Sequence, residues 1–218
     1  MENFLAGLKE IPLQIWLCLM VFIVFSGVVI TRIKSKTTPN EPRRTKILTF
    51  GAMCIALSFI LSYVKLFARP QGGSVTAASM LPVLFFAFIA GPKAGFIAGT
   101  TYGFLQFIQE GYAAHWISII LDYPLAFACL GLVAFAPKAI KSIEARFIFG
   151  TFIAIAGRSI SHVLSGAIFF AEYAGDQNPW VYSMVYNASY LGAELIITVI
   201  LGLILIRTPL YKSIKAAL

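Results

Sequence analysis

The chain has 218 residues, of which 59% are hydrophobic and only 12% charged, and its formal net charge is +8. A mean hydropathy of +0.85 excludes an ordinary soluble domain, and the length suits one domain of several helices. The positive charge does not indicate nucleic-acid binding, because Lys and Arg cluster in alternate loops between apolar segments. We therefore expect an all-α integral membrane protein that contacts the lipid bilayer and no nucleic acid.

Seven apolar segments approach the length of about 20 residues that a membrane-spanning helix needs. They cover residues 12–31, 47–67, 77–92, 93–109, 115–135, 147–171 and 185–206. The third and fourth segments are short, and the sequence Ala90-Gly91-Pro92-Lys93 between them predicts a tight turn.

The first segment, residues 12–31, predicts an additional N-terminal membrane helix. Its apolar run is too long for a cleavable signal peptide, and no small-residue cleavage site follows it. The linker 32–46 is rich in Lys, Arg, Thr and Pro and predicts an exposed connector. We therefore divide the chain into residues 1–45, an extra helix with a basic cytoplasmic linker, and residues 46–218, a membrane domain of six helices.

The charge distribution also predicts the orientation of the chain. Loops rich in Lys and Arg stay on the cytoplasmic side of a membrane. Applied to the alternate loops that begin with 32–46, this rule places residue 1 outside and the C-terminus in the cytoplasm. The predicted location is the cell membrane, crossed several times.

Polar and aromatic residues converge on the outer half of the predicted bundle. Glu110 directly follows the fourth segment, His162 lies in the sixth and Asn187 lies near the start of the seventh, with Trp180 and Tyr182 in the preceding loop. Ionisable groups inside a bilayer cost several kcal/mol unless they pair or face a cavity. The arrangement indicates a pocket near the outer face for a small, flat, polar molecule.

The deep charges have a structural interpretation beside the functional one. A buried Arg usually has a carboxylate partner, so we expect Arg158 to form a structural ion pair with Asp122 or Glu194. His162 shares a helix face with Arg158, and it either faces the pocket or simply donates a hydrogen bond to a carbonyl. Glu110 is either a solvated loop acid or an anion that faces a cationic ligand.

No catalytic motif accompanies these residues. The sequence contains no P-loop, no HExxH and no Gly-x-Ser-x-Gly, and its three scattered cysteines offer neither metal spacing nor a disulfide framework. We expect no enzyme activity, no metal and no cofactor. Two other classes stay open: an intramembrane enzyme that uses His162 with Asp122 or Glu194 as acid and base, and a structural membrane protein whose polar residues only bridge helices.

Five ordered motifs within residues 46–212 resemble one known family. They are Pro70-Gln-Gly-Gly-Ser-Val-Thr76 with Met80-Leu-Pro82, Tyr102-Gly-Phe-Leu-Gln106 with Glu110, Leu121-Asp-Tyr-Pro-Leu-Ala126, His162-Val-Leu-Ser-Gly166 with Ala167-Ile-Phe-Phe170, and Tyr182-Ser-Met-Val-Tyr-Asn187. The family is that of the substrate-binding S components of energy-coupling factor (ECF) vitamin transporters, and the resemblance is to its thiamine-specific members. Segment 12–31 departs from the six-helix core that the resemblance implies.

The resemblance implies a role for each motif in capturing thiamine near the outer face. Glu110 would face the cationic part of the vitamin, and the rest of the implied site forms three groups. They are the hydrogen-bonding residues His162, Tyr182 and Asn187, the ring-enclosing residues Tyr102, Tyr112 and Phe170, and the lid residues Gln71, Gly72, Gly73 and Ser74. Phe170 stands where the resemblance suggests a tryptophan, so stacking is kept and an indole donor is lost.

Three further expectations complete the prediction. Trp116 and Trp180 either add to the aromatic wall or belong to the aromatic belt at the membrane interface. The resemblance implies that Ala52 and Ala56 contact a transmembrane coupling subunit, which two cytoplasmic ATPases energise. The nearest alternative ligand is another vitamin, such as riboflavin, or another pyrimidine-type compound.

Overall fold

The structure is a computed structural model, and it describes residues 41–218. The predicted N-terminal helix 12–31 and most of the predicted linker lie outside the described residues, so the division at residue 45 stays a prediction. The described part contains a bundle of helices and one small hairpin.

Seven helices make up the described bundle. They are α1 (Glu41–Ser62), α2 (Leu81–Ala90), α3 (Pro92–Glu110), α4 (Trp116–Phe135), α5 (Ile143–Phe169), α6 (Pro179–Arg207) and α7 (Pro209–Ala217). Between α1 and α2 lie the antiparallel strands β1 (Lys65–Ala68) and β2 (Ser74–Thr76), and a 3₁₀ turn (Ala171–Ala174) follows α5. Helices α1, α4, α5 and α6 contain spans long and apolar enough to cross a membrane.

Helix α1 differs from its prediction at both ends. It begins at Glu41, so residues 41–46 of the predicted connector are helical; Pro42 in the first turn is compatible with a helix start. It ends at Ser62, and residues 65–67 of the predicted helix form part of β1 instead. The hairpin partner β2 supplies the reason, because pairing with it outweighs the helical continuation of an apolar run.

The turn between α2 and α3 is as tight as predicted, since Gly91 alone separates the two helices. Its φ of 95° lies in the left-handed region that favours glycine, and Pro92 fits the first turn of α3. Three glycines on α3 then allow close packing against α4: Gly95 meets Gly131, Gly99 meets Phe127, and Gly103 meets Tyr123.

Helix α4 is irregular where it carries Asp122. Residues Leu121–Leu125 form a π-helical turn that contains Pro124, whose ring and missing N–H disrupt the regular α-helical ladder. The Ser161 hydroxyl of α5 donates to the Leu121 carbonyl at 2.6 Å, which satisfies one carbonyl of this turn. The irregular turn places Asp122 beside α5.

Helix α6 begins six residues earlier than the predicted segment. The Asn178 side chain accepts hydrogen bonds from the backbone N–H groups of Trp180 (3.0 Å) and Val181 (3.3 Å), and Pro179 occupies the first helical position. Trp180 and Tyr182, predicted to lie in a loop, are therefore helical. Tyr182 consequently shares one helix face with the residues that follow it at four-residue spacing.

Candidate functional site

A cavity of about 210 Å³ lies under the hairpin, between α3, α4, α5 and α6. Six of the predicted ligand-binding residues line it: Glu110, Tyr112, His162, Phe170, Tyr182 and Asn187. The four predicted lid residues and the three predicted mid-depth charges also line it. Segments that are distant in the sequence therefore converge on one site.

Three of the predicted ligand-binding residues do not line the cavity. Tyr102 is fully buried: its hydroxyl donates to the Ser58 carbonyl at 3.2 Å, and its ring packs edge-on against Phe127. The helix turns this ring into the core, so the structure does not place Tyr102 at the cavity. Trp116 and Trp180 are 46% and 38% exposed near the starts of α4 and α6, positions that fit an interface belt.

The charged centre of the cavity is a chain of hydrogen bonds through His162. Arg158 Nε donates to His162 Nε2 at 3.2 Å, so Nε2 carries a lone pair and the imidazole is neutral. The other nitrogen, Nδ1, then donates to Asp122 Oδ1 at 2.9 Å, and the Ser165 hydroxyl donates to Asp122 Oδ2 at 2.5 Å. Both nitrogens of His162 are engaged within the protein.

The predicted ion pair of Arg158 with a carboxylate is not formed. Within residues 43–218 the ion pair is Lys65–Glu110, and the neutral His162 donates a hydrogen bond to Asp122. The Arg158 guanidinium instead lies 4.1 Å from the centre of the Phe127 ring, donates through Nε to His162, and contacts the Met80 sulfur. His162 stands between Arg158 and Asp122, so cation–π attraction and a relayed hydrogen bond replace the direct pair.

Glu194 lies on α6 and is only 2% exposed. Its Oε1 accepts hydrogen bonds from the backbone N–H and, at 2.7 Å, from the hydroxyl of Thr76 in β2. Its Oε2 is buried and has no hydrogen-bond partner among the described residues. Glu194 was predicted to pair with Arg158, and its partner in the structure is instead Thr76 of strand β2.

An aromatic wall closes the side of the cavity near the end of α3. The rings of Tyr112 and Phe170 stack at 5.6 Å, and those of Phe170 and Tyr173 at 6.2 Å. The hydroxyls of Tyr112 and Tyr173 are 2.9 Å apart, and this hydrogen bond raises the pKa of Tyr173, with desolvation a smaller cause. Tyr173 was not predicted, although it follows Phe170 by three residues.

The face of α6 that lines the cavity carries Tyr182, Tyr186, Tyr190 and Glu194. Asn187 lies beside them: its Nδ2 donates to the Ser183 carbonyl at 2.9 Å, and its Oδ1 accepts from Tyr190 at 2.7 Å. Tyr186 and Tyr190 were missed by the sequence prediction, although the four-residue spacing from Tyr182 to Glu194 indicates a common helix face. Thr76 gives no such signal.

The lid residues form the turn of the hairpin, and the turn is fastened to α6. Gly72 and Gly73 have φ values of 87° and 79°, which favour glycine. The Tyr186 hydroxyl donates to the Gly72 carbonyl at 2.7 Å and accepts from the Gln71 N–H at 3.2 Å. Gly73 packs against the Tyr190 ring so closely that a Cβ would lie 2.8 Å from it.

Glu110 stands at the open end of the cavity. Its side chain is 60% exposed, and it pairs with Lys65 at the start of β1, whose side chain is 28% exposed. The cavity lining as a whole holds three carboxylates (Glu110, Asp122 and Glu194) and one guanidinium (Arg158), a formal charge of −2. Such a lining favours a cation with flat rings.

The predicted contact residues for a partner lie on the outside of the bundle. Ala52 and Ala56 are exposed on α1, beside the exposed side chains of Met53, Leu57 and Ile60. An apolar helix face of this kind contacts either lipid or another membrane protein.

The apolar helices define a multi-pass membrane protein. The acidic, aromatic cavity that they enclose is of the kind that binds a small molecule. Residues 48–214 match the family described as thiamine transporter protein (Thia_YuaJ), and the chain belongs to this family. It is a transporter family, which excludes the intramembrane enzyme considered above. The predicted resemblance is thereby confirmed.

Relatives and solved structures agree with this assignment. The chain is 35% identical to the thiamine transporter ThiT of Bacillus subtilis, over 81% of this chain and 100% of that protein. It is 27% identical to ThiT of Lacticaseibacillus paracasei, over 78% and 92% of the two chains. The structure of ThiT from Listeria monocytogenes has the same fold, with a TM-score of 0.69 at 23% identity over 79% and 98%.

A further solved structure supports the fold. The S component of a bacterial ECF transporter superposes with a TM-score of 0.53 at 23% identity, covering 74% of this chain and 96% of that one. The prediction of a mostly helical membrane protein is therefore confirmed, although the described residues contain seven helices rather than the six predicted for the membrane domain.

Proposed function

We propose that the chain captures thiamine in the cavity under the hairpin and serves as the S component of an ECF transporter. The observation that carries the proposal is the acidic, aromatic lining described above, because thiamine joins a permanent thiazolium cation to an aminopyrimidine ring. Three carboxylates against one guanidinium offset the ligand's charge, and flat side chains enclose its rings. The family and the ThiT relatives independently favour the same ligand.

Glu110 is the proposed contact for the thiazolium. It lies at the open end of the cavity, and its Oε1 is not used by Lys65, which contacts Oε2. The stacked rings of Tyr112 and Phe170 stand at the same end and supply the flat surface next to the charge. Cation–π attraction there contributes about 0.5–2 kcal/mol.

His162 has a narrower role than the resemblance implies. Because both of its nitrogens are engaged, by Arg158 and Asp122, a ligand contacts its ring rather than a free donor or acceptor. We propose that His162 positions Arg158 and Asp122, while Tyr182 contacts the ligand from α6 together with the second lone pair of Asn187 Oδ1, whose first accepts from Tyr190.

The transport role requires partners. We propose that the exposed face of α1 around Ala52 and Ala56 contacts a transmembrane coupling subunit, which two cytoplasmic ATPases energise. The cavity would then open to the outside, and the C-terminus with the exposed Lys212 and Lys215 of α7 would lie in the cytoplasm.

Thiamine binding to the purified full chain in detergent, followed by quenching of tryptophan fluorescence, tests the proposal. We expect saturable binding that Glu110→Gln weakens at least tenfold, about 1.4 kcal/mol, with the fold intact. Glu172→Gln is the matched control, because Glu172 is exposed and does not line the cavity.

The outcomes separate the alternatives. Equal weakening of thiamine binding by both substitutions would show that Glu110 is not a specific ligand contact. Absence of thiamine binding by folded protein, with binding of riboflavin or another pyrimidine-type compound, would support the S component for a different vitamin. Binding of no ligand would favour a structural role for the polar residues.

A further inference from the structure

The buried end of the cavity contains an unsatisfied acceptor. Glu194 is held in one orientation because its Oε1 takes both the N–H and the hydroxyl of Thr76. Its Oε2 is buried without a hydrogen-bond partner among the described residues, although the side chain lines the cavity. The other buried, unpartnered atoms of the described residues belong to side chains away from the cavity: Ser58, Arg146, Thr151 and Thr198.

An unpaired carboxylate oxygen is costly at such a position. A buried polar atom without a hydrogen bond has lost its water partners and gained none in exchange, and this cost is larger when the atom is charged. Arg158, the cation that lines the cavity, forms no ion pair with Glu194, since it is engaged by Phe127, His162 and Met80. A ligand that brings a donor to Oε2 removes this cost, whereas one without a donor there leaves it in place.

We infer that Glu194 is a specificity-determining ligand contact whose Oε2 accepts a hydrogen bond from an N–H group of the bound molecule. The inference rests on the proposed function: in thiamine the donor is the amino group of the aminopyrimidine. The ligand then lies with its thiazolium at the exposed Glu110 and its pyrimidine at the buried Glu194. An ionised carboxylate only accepts hydrogen bonds, so it selects an amino group over a carbonyl at this position.

The contact with Thr76 makes a glutamine substitution unusually informative. The two donors of Thr76 require an oxygen in place of Oε1. In Glu194→Gln the amide oxygen therefore stays with Thr76, and the amide NH₂ points to the position of Oε2. The substitution exchanges an acceptor for a donor at the cavity and preserves the side-chain volume.

The experiment compares thiamine with its oxo analogue, in which a carbonyl replaces the pyrimidine amino group, by titration calorimetry on the full chain in detergent. Wild-type protein should bind thiamine at least tenfold more tightly than the oxo analogue. Glu194→Gln should weaken thiamine binding at least tenfold and shift the ratio of the two affinities at least tenfold toward the analogue. Ser189→Ala is the control, because it removes the Arg69 hydrogen bond that fastens the hairpin to α6 without touching Glu194 or the cavity, so both ligands should change by the same factor.

Each other outcome overturns the inference. If Glu194→Gln leaves the ratio of the affinities for thiamine and its oxo analogue unchanged, Oε2 does not accept a hydrogen bond from the amino group. A protonated Glu194 would also give an unchanged ratio, because a glutamine side chain resembles it, and this too contradicts the inference. If the variant does not fold, equal affinity of wild-type protein for both ligands still decides against the inference. Absence of thiamine binding by folded wild-type protein would remove the proposed function and this contact with it.

Discussion

The two ends of the cavity hold their carboxylates in different ways. At the open end Glu110 is 60% exposed and pairs with Lys65, a partner that water and ligand can replace. At the buried end Glu194 is 2% exposed and bound to the backbone and hydroxyl of Thr76. An exposed ion pair contributes about 0–1 kcal/mol, whereas a buried polar group left without a partner costs more. The open end is therefore suited to attracting a cationic ligand, and the buried end to discriminating between ligands by their hydrogen-bonding groups.

The largest expected effect comes from disturbing the turn of the hairpin, which packs against α6. Gly72→Ala and Gly73→Ala both place a side chain at positive φ, which costs about 1–2 kcal/mol. Only at Gly73 does the added Cβ also meet the Tyr190 ring, at 2.8 Å, while Gly72 has open space around it. Overpacking adds about 1–3 kcal/mol, so we expect Gly73→Ala to weaken thiamine binding about tenfold or more beyond Gly72→Ala. Equal effects of the two substitutions would mean that the packing of Gly73 against the Tyr190 ring does not contribute to thiamine binding.

An intermediate effect is expected for Asp122, which supports the cavity from behind His162. Asp122→Asn replaces the charged acceptor of the His162 and Ser165 hydrogen bonds. Hydrogen bonds to charged groups are worth about 1.5–3 kcal/mol, so the unfolding temperature in detergent should fall. Asp176→Asn is the control, since Asp176 is exposed in the loop before α6. An unchanged unfolding temperature would show that His162 is positioned without Asp122.

The smallest effect is expected at the open end. Lys65→Met frees Glu110 from its internal cation, so thiamine should bind about two- to fivefold more tightly, in line with the strength of exposed ion pairs. The gain should shrink as salt screens the pair. Combined with Glu110→Gln, Lys65→Met should have no effect, because its partner is gone. Weaker binding in Lys65→Met would instead assign Lys65 a supporting role in closing the hairpin.

The sequence alone predicts the membrane helices and much of the site, because hydropathy and charge asymmetry are strong local signals. The motifs bring Glu110, His162 and Asn187 to one cavity, as predicted. The sequence does not predict the hydrogen-bond and ion-pair partners of the buried charged residues. Arg158 finds Phe127 rather than a carboxylate, since the irregular turn at Pro124 decides which side chains face α5. Pairing geometry of this kind depends on helix rotation, which periodicity does not fix.

The attachment of the hairpin defines where the pocket opens most easily. Along α6 the hairpin is held through Tyr186, Tyr190, Ser189 and Glu194, so hairpin and α6 form one mechanical unit. Toward α3 the described side-chain link of the strands is the exposed Lys65–Glu110 pair. We therefore expect the hairpin to stay attached to α6 and to separate from α3 when the cavity opens. Because Glu110 is one partner of the Lys65–Glu110 pair, a cation that first contacts Glu110 also weakens the link between the hairpin and α3.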